Sequence, residues 1–373
     1  MHIKIDRSAL MKTLAHVQNV VEKKNAIQIL GNVMLSAKSG RVTVVATNME
    51  IVVAETIDAE ILAEGECTAS AAVLYEITRK LPDGASIELR HKDDMLAYRA
   101  GRYHMNLATL PVVDFPQMST GRLSHNFRMP ALALKSLLDR TAFAASDEES
   151  RYYLCGVYLH IAEADRVQVL RAVATNGHEL AYAGEPLPDG AAGMPGVILP
   201  RQTLSELRKL LADAQGEISL GVSETRMQIA MGDLALVTKL IDGTFPEYER
   251  VIPRDNDKVL RVAKSDFAAA VGRVAVVGGA ERSKPVKLTL GPDRLTLSAS
   301  GGELGSATEE LDGSQVHYSG PAYEIGFQAR YLNDITDQIG GCAEFRFGPD
   351  DAPALILDAA DASALFVLMP MRV

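Results

Sequence analysis

GVILPRQTLSELRKLLADAQGEISLGVSETRMQIAMGDLALVTKLIDGTFPEY, residues 196–248, decides the fold, because the chain repeats its outline twice more. It opens with an apolar run ending in proline, Val197-Ile198-Leu199-Pro200. Leu204, Leu207, Leu210 and Leu211 follow at spacings of three and four, the signature of a helix with one apolar face. Gly216 stops that helix. The runs 218–222, 227–230 and 234–241 then read as strands leading to Gly243-Thr244-Phe245-Pro246.

The earlier copy covers 65–116. Leu74, Ile77 and Leu81 carry its helix, Pro82-Asp83-Gly84 turns it, 87–89 and 95–99 are strand-like, and Asp114-Phe115-Pro116 closes it. The later copy starts at Tyr323. Ile325-Gly326-Phe327 leads into a helix marked by Tyr331, Leu332, Ile335 and Ile339, and Gly340-Gly341 stops it. Strands at 343–347, 354–357 and 364–368 follow, and Met369-Pro370 stands where Phe-Pro stood. Phe115 to Phe245 is 130 residues and Pro246 to Pro370 is 124, a period of repeated domains and not of a solenoid.

Each third also opens alike. A helix is predicted over 7–22, with Leu10, Leu14, Val17 and Val21 on one face and Ser8 as an early cap. Leu134, Leu137, Leu138 and Ala142 repeat that face, as do Phe267, Ala270, Val271 and Val274. Strands follow at 31–37, 42–47 and 51–56, at 156–161, 167–174 and 180–185, and at 286–290, 295–299 and 306–311. Each third therefore reads helix, strands, helix, strands. The expected class is α+β, with antiparallel sheets covered by helices on one side. The domains are expected at 1–121, 128–250 and 256–373, with polar, turn-rich linkers at 117–127 and 253–258.

With 373 residues, 47% hydrophobic and 23% charged, the composition is that of a globular chain of two or three domains. No apolar run approaches the ~20 residues that span a bilayer, and the first residues lack the pattern of a signal peptide. Cys67, Cys155 and Cys342 lie far apart and form no C-x-x-C pair, so no disulfide framework, zinc site or other cofactor is indicated. A cytoplasmic protein is expected.

The net charge of −10 argues against a chain that coats itself in nucleic acid. Its distribution matters more. Fourteen basic against eight acidic residues fall on the six predicted helices, leaving −16 elsewhere. A basic helical face on an acidic body suits a phosphate backbone held without sequence reading. Lys and Arg placed against helix C-terminal dipoles produce the same pattern.

The layout and the phrases that punctuate it resemble the bacterial sliding clamp family, the beta subunit of DNA polymerase III. Those phrases are Ile29-Leu30-Gly31-Asn32, Thr109-Leu110-Pro111 with Asp114-Phe115-Pro116, Arg151-Tyr152-Tyr153-Leu154 and Ala174-Thr175-Asn176-Gly177-His178. Val197-Ile198-Leu199-Pro200-Arg201, Phe245-Pro246-Glu247-Tyr248 and the tail Met369-Pro370-Met371-Arg372-Val373 complete the set, which covers the whole chain in register. The resemblance implies a head-to-tail homodimer closed into a ring, with helices lining the hole, sheets outside, and double-stranded DNA encircled without sequence preference. No catalysis is implied. Such a clamp tethers a polymerase and raises its processivity through effective concentration.

The resemblance also implies a peptide-binding pocket for the polymerase III alpha subunit, the clamp loader delta subunit, other polymerases and repair proteins. Its positions here are Leu154, Thr175, Gly177, His178, Leu180, Pro246, Arg250, Val251, Val367, Met369, Pro370, Met371 and Arg372. Read from the residues alone, Met369-Pro370-Met371 ends a strand in a core. Where well-studied members carry a basic residue after Gly-His, this chain has Glu179. The implied DNA contacts are Lys24, Arg151, Tyr152, Tyr153 and Arg201, with Arg282 and Lys284 from a loop, while Val73 replaces a basic residue common at the start of the family's second helix. Tyr152 and Tyr153 read equally as core aromatics. The implied subunit interface pairs Met105 and Leu107 on an edge strand with Val276 and Val277; core packing accounts for each of these singly.

A second class of reading is an enzyme using the His178-Glu179 pair between domains. No second His follows at helical spacing, and no G-x-S-x-G or G-K-[ST] loop is present. A third is a plain DNA binder indifferent to whether the DNA has ends.

Overall fold

The computed structural model describes residues 1–21, 26–118, 121–278, 285–313, 315–349 and 351–372. The described residues include six α-helices: α1 (Arg7–Val17), α2 (Ala71–Lys80), α3 (Ala131–Asp139), α4 (Arg201–Asp213), α5 (Lys264–Val274) and α6 (Ala329–Thr336). They fall where the three-fold pattern predicts, two to each third.

The first helix is shorter than 7–22. It ends at Val17 and passes into a 3-10 turn, Gln18–Val20, while Glu22 lies outside the described residues. Its cap is also displaced by two residues. Asp6 and not Ser8 caps it, its carboxylate accepting from the N–H of Ser8 at 2.7 Å and of Ala9 at 3.4 Å. A carboxylate there satisfies orphan N–H groups and complements the helix dipole, so it outcompetes the serine.

Close contacts gather the chain into two compact units. One comprises Met1–Leu132, Pro188–Pro195 and Gln202–Leu240. It holds a five-stranded sheet in the order Glu60–Ala63, His2–Asp6, Ser86–Lys92, Met95–Ala100, Tyr103–Ala108. It also holds an eight-stranded sheet: His125–Pro130, Glu217–Val222, Arg226–Met231, Leu234–Lys239, Ile51–Asp58, Arg41–Thr47, Asn32–Lys38, Gly65–Ser70. Strands of the first and second repeats join in that sheet where Leu236 faces Val53 and Thr238 faces Ile51, in antiparallel register.

The other unit comprises Ala133–Leu187, Gly196–Arg201 and Ile241–Val373. Its nine-stranded sheet runs Val197–Pro200, Gly156–Ala164, Val167–Thr175, Glu179–Pro186, Asp361–Leu368, Ala354–Asp358, Cys342–Phe347, Lys258–Ala263, Val316–Tyr318. A four-stranded sheet runs Ser306–Leu311, Arg294–Ser300, Pro285–Gly291, Tyr323–Gln328. Here the second and third repeats join, with Leu180 facing Val367. Because each repeat donates strands to its neighbour's sheet, the division between compact units runs through residues 128–250.

The helices carry eleven basic and six acidic residues, a net +5, so the rest of the chain carries −15 of a total of −10. Part of that excess is spent on neighbours: Lys135 pairs with Asp139, Lys209 with Glu206, Arg79 with Glu76 and Arg330 with Asp334. Among the described residues, no helix is long and apolar enough to cross a membrane.

Candidate functional site

In the second unit, the segment after Ile241 crosses one face of the nine-stranded sheet and is pinned there by two aromatic rings. Phe245 stacks on Tyr158 with centroids 4.9 Å apart and planes 7° apart, and Tyr158 stacks on His160 at 4.5 Å. Arg171 Nη1 donates to the Tyr248 hydroxyl at 3.1 Å, and His160 Nε2 lies 3.1 Å from the same oxygen. Burial pushes the His160 pKa down and the Tyr248 pKa up, so both rings are uncharged at neutral pH. The pinned rings join Leu154, Val173, Leu180, Ile198, Leu355 and Val367 in one apolar cluster.

The pinning leaves Pro246 and Val251 beside Leu154, Leu180, Val367 and Met369, around a cavity of about 220 Å³. Leu154 and Val367 are buried, while Val251 is 52% and Met369 42% exposed, so the lip is apolar and open. A ligand side chain of leucine or phenylalanine size entering such a cavity gains roughly 1.5–3 kcal/mol from burial alone. A methionine lip adapts to varied shapes.

The remaining wall is a polar turn closed by side-chain to backbone hydrogen bonds. Asn176 Oδ1 accepts from the N–H groups of His178 at 2.9 Å and Glu179 at 3.0 Å. Thr175 Oγ1 donates to the Glu179 carbonyl at 2.7 Å and accepts from the Gly177 N–H at 3.1 Å. Gly177 sits at φ +90°, a conformation that favours glycine, and a Cβ there would lie 3.0 Å from Arg151 Nη1, so a larger residue would press on that guanidinium. The His178 carbonyl accepts from the Met369 N–H at 2.8 Å, tying the turn to the lip. The His178 ring stacks on Tyr331 of α6, with centroids 6.2 Å apart.

Nine of the thirteen expected pocket positions line this cavity: Leu154, Thr175, Gly177, His178, Leu180, Pro246, Val251, Val367 and Met369. Arg250, Pro370, Met371 and Arg372 do not. Arg250 is turned to solvent and ion-paired with Glu247, and the Met371 N–H donates to the Gly326 carbonyl at 2.9 Å. Glu179, which the sequence puts at the pocket rim, lines the cavity as well, and so do Glu247 and Tyr248, which sequence reasoning did not place there. The phrase Phe-Pro-Glu-Tyr was the available signal for both.

Of the expected DNA positions, Lys24, Arg282 and Lys284 lie outside the described residues. Arg151, Tyr152 and Tyr153 share the 3-10 segment Glu149–Leu154. Tyr152 is 54% exposed, whereas Tyr153 packs against the apolar cluster, so the two rings divide between surface and core. Arg151 pairs with Glu148. Arg201 is exposed at the first position of α4, its N–H donating to the Cys155 carbonyl at 3.0 Å.

Of the expected interface positions, Met105 lies on the edge strand Tyr103–Ala108 and lines a cavity of about 470 Å³ with Ala72, Val73 and Ile77 of α2. Leu107 on the same strand is only 7% exposed and belongs to the core. Val276 is 71% exposed, and Val277 is half-buried in the 3-10 turn Ala275–Gly278.

The chain matches the three domains of the DNA polymerase III beta subunit: the N-terminal domain over residues 1–119, the central domain over 128–247 and the C-terminal domain over 249–372. It is 46% identical to the beta sliding clamp of Caulobacter vibrioides across the full length of both chains. The solved Caulobacter crescentus beta sliding clamp, with polyethylene glycol bound, superposes with a TM-score of 0.96 at 47% identity, covering 100% of this chain and 99% of that one. The DNA polymerase III beta subunit of Bartonella birtlesii bound to griselimycin superposes with a TM-score of 0.96 at 42% identity, covering 100% of both.

Proposed function

The chain belongs to the DNA polymerase III beta-subunit family, the beta sliding clamps, and from that premise we propose how its residues serve that role. It is a non-catalytic processivity factor of DNA replication that self-associates, holds DNA and binds partner peptides. In this reading two chains, each of domains 1–121, 128–250 and 256–373, close head to tail around duplex DNA. Edge strand Tyr103–Ala108 with Met105 meets Val276 and Val277 of the second copy, which gives the exposed strand edge a partner. Lys24, Arg151, Tyr152, Arg201, Arg282 and Lys284 touch the sugar–phosphate backbone in passing, and Tyr153 supports them from the core. Weak contacts of this kind let a ring slide.

The observation that carries the reading is the cavity between Leu154, Leu180, Pro246, Val367 and Met369. It takes the apolar side chains of short linear peptides from the polymerase III alpha subunit, the clamp loader delta subunit and other polymerases and repair proteins, and it takes griselimycin in the same place. Arg250, Pro370, Met371 and Arg372 flank this cavity and meet the ligand's outer residues. His178 is a wall of the pocket, its ring stacked on Tyr331, and not an acid or base. The clamp works in the cytoplasm, without cofactor or metal.

The test is retention on nicked circular DNA after loading by a clamp loader with ATP, before and after a single cut. Release on linearisation is expected, because a ring leaves over the ends. Equal retention on both forms would sink the encircling reading in favour of grip by contact.

A further inference from the structure

We propose that Glu179, acting through Asn176, is the positioning residue that holds the Gly177–His178 wall of the pocket. This rests on the pocket reading above. The chain's own repeat marks the position as unusual. The turn Thr47–Ile51 makes the same set of bonds as Thr175–Glu179, and there the last residue is Ile51, 1% exposed in an apolar core. Glu179 is 2% exposed in the corresponding place. It pairs with Leu368 in the sheet, so its side chain shares the face of Leu368 and Ala181, opposite to that of Leu180.

On that face Glu179 Oε1 accepts from Asn176 Nδ2 at 2.9 Å, while Oε2 is buried with no hydrogen-bond partner. Helix α6 presents Arg330, Tyr331 and Asp334 to this corner, and the neighbouring strand presents Leu368. Arg330 is itself spent on Asp334, Nε to Oδ2 at 3.2 Å, so Asp334 is the stronger influence. Burial first and Asp334 second push Glu179 up to about 8. A neutral acid sits there with one unmet oxygen. A carboxylate would leave a buried charge facing another carboxylate, and admitting water to it opens the turn that Asn176 closes. The His178 ring and the Glu148 carboxylate also stand near each other in this wall, so pH alone does not single out Glu179. The glutamine variant does.

The experiment is calorimetric titration of the full chain with griselimycin between roughly pH 6.5 and 9.5. Wild type is expected to lose at least about fivefold in affinity across that range. Glu179→Gln keeps both the bond to Asn176 and the uncharged state, so it binds at the low-pH wild-type level throughout, while Glu179→Ala binds weakly at every pH. Asp334→Asn moves the wild-type fall to lower pH. A flat wild-type profile, or a Glu179→Gln profile that falls like wild type, overturns the role of Glu179 and leaves the pocket intact. Absence of griselimycin binding at every pH overturns the pocket reading, and this inference with it.

Discussion

Asn48 and Asn176 close the same turn in successive repeats, each side-chain oxygen accepting from the backbone N–H groups two and three residues ahead. The distances are 3.0 and 2.8 Å at Asn48, and 2.9 and 3.0 Å at Asn176. A threonine precedes each, and its hydroxyl donates to the carbonyl four residues on, from Thr47 to Ile51 and from Thr175 to Glu179. The residue after each asparagine takes positive φ, +75° at Met49 and +90° at Gly177. Side chains of this type mimic a backbone turn, which is why the device survives when its neighbours differ. What differs is the use: one copy braces a core, and the other carries a pocket wall.

Aspartate substitutions separate the two uses. Asn176→Asp keeps the acceptor but deletes the Nδ2–H donor to Glu179 and sets a second carboxylate against it. A loss of griselimycin affinity of at least about fivefold is expected at neutral pH, with a lower melting temperature. Asn48→Asp, beside the hydrocarbon of Ile51, should melt within about 0.5 kcal/mol of wild type. Calorimetry and thermal melting of both variants check this; equal effects would show that Glu179 plays no part.

Exposure along the pocket predicts a split between binding and stability. Met369 is 42% exposed at the lip, so Met369→Ala should cost the ligand about 1 kcal/mol, or about fivefold, and leave melting nearly unchanged. Leu154 is 5% exposed inside the cluster, and Leu154→Ala should cost the fold about 2–5 kcal/mol as well as affinity. Denaturant titration beside ligand titration measures both, and a Met369 variant that unfolds early would place that residue in the core instead.

Helix α4 was legible because Leu204, Leu207, Leu210 and Leu211 are all buried and nothing in their spacing competes with a helix. The end of α1 was not, because Val20 and Val21 continue the helical spacing through a 3-10 turn. The strands His2–Asp6, His125–Pro130 and Lys258–Ala263 escaped as well. Each is short, and its partner is far away in sequence, as in Ile3 opposite Leu89. At the site, the turn residues and apolar walls stood in recognisable phrases. The burial of Glu179 could not be read, since a glutamate at the start of a strand is ordinarily solvated. Only its pairing with Leu368 and the approach of α6 turn it inward. Arg250 and Arg372 came by likeness alone, and no local pattern says whether such a residue leans over a cavity or away from it.

In the first unit, His16 is held between two carboxylates. Its Nδ1 lies 2.8 Å from Glu55 Oε2 and its Nε2 3.6 Å from Asp213 Oδ2, with the side chains of His16 and Glu55 each 12% exposed. The bond to Glu55 raises the His16 pKa, against burial and the charge of Lys12. A histidine whose folded value exceeds its unfolded one stabilises fully below about pH 6.5 and loses that contribution as pH rises through the folded value. Wild type should therefore lose more melting temperature than His16→Gln between about pH 6 and 8. Glu179 lowers stability over the same interval in both proteins and cancels in the comparison. Parallel profiles would mean that folding leaves the His16 pKa unchanged.

Arg171 is the cation on which the pocket's aromatic wall is seated. It is 7% exposed, its guanidinium lies 4.5 Å from the centre of the Tyr182 ring, and its Nη1 bonds the Tyr248 hydroxyl at 3.1 Å. The nearest carboxylate, Glu249 Oε1, is 3.5 Å away on a side chain that is 63% exposed, so solvent shares the countercharge. Arg171→Ala removes the ring contact and the hydroxyl's donor together, and about 2–4 kcal/mol of stability should go with them. Arg171→Lys should not restore it, because an ammonium cannot lie flat on Tyr182 and reach Tyr248 at once. Since Tyr248 is held from this side and lines the cavity, both variants should also bind griselimycin more weakly, by at least about fivefold. Chemical denaturation and calorimetry on the same preparations read the two effects. Full affinity in a destabilised Arg171→Ala chain would show that Phe245 and Tyr158 seat the segment without the arginine's help.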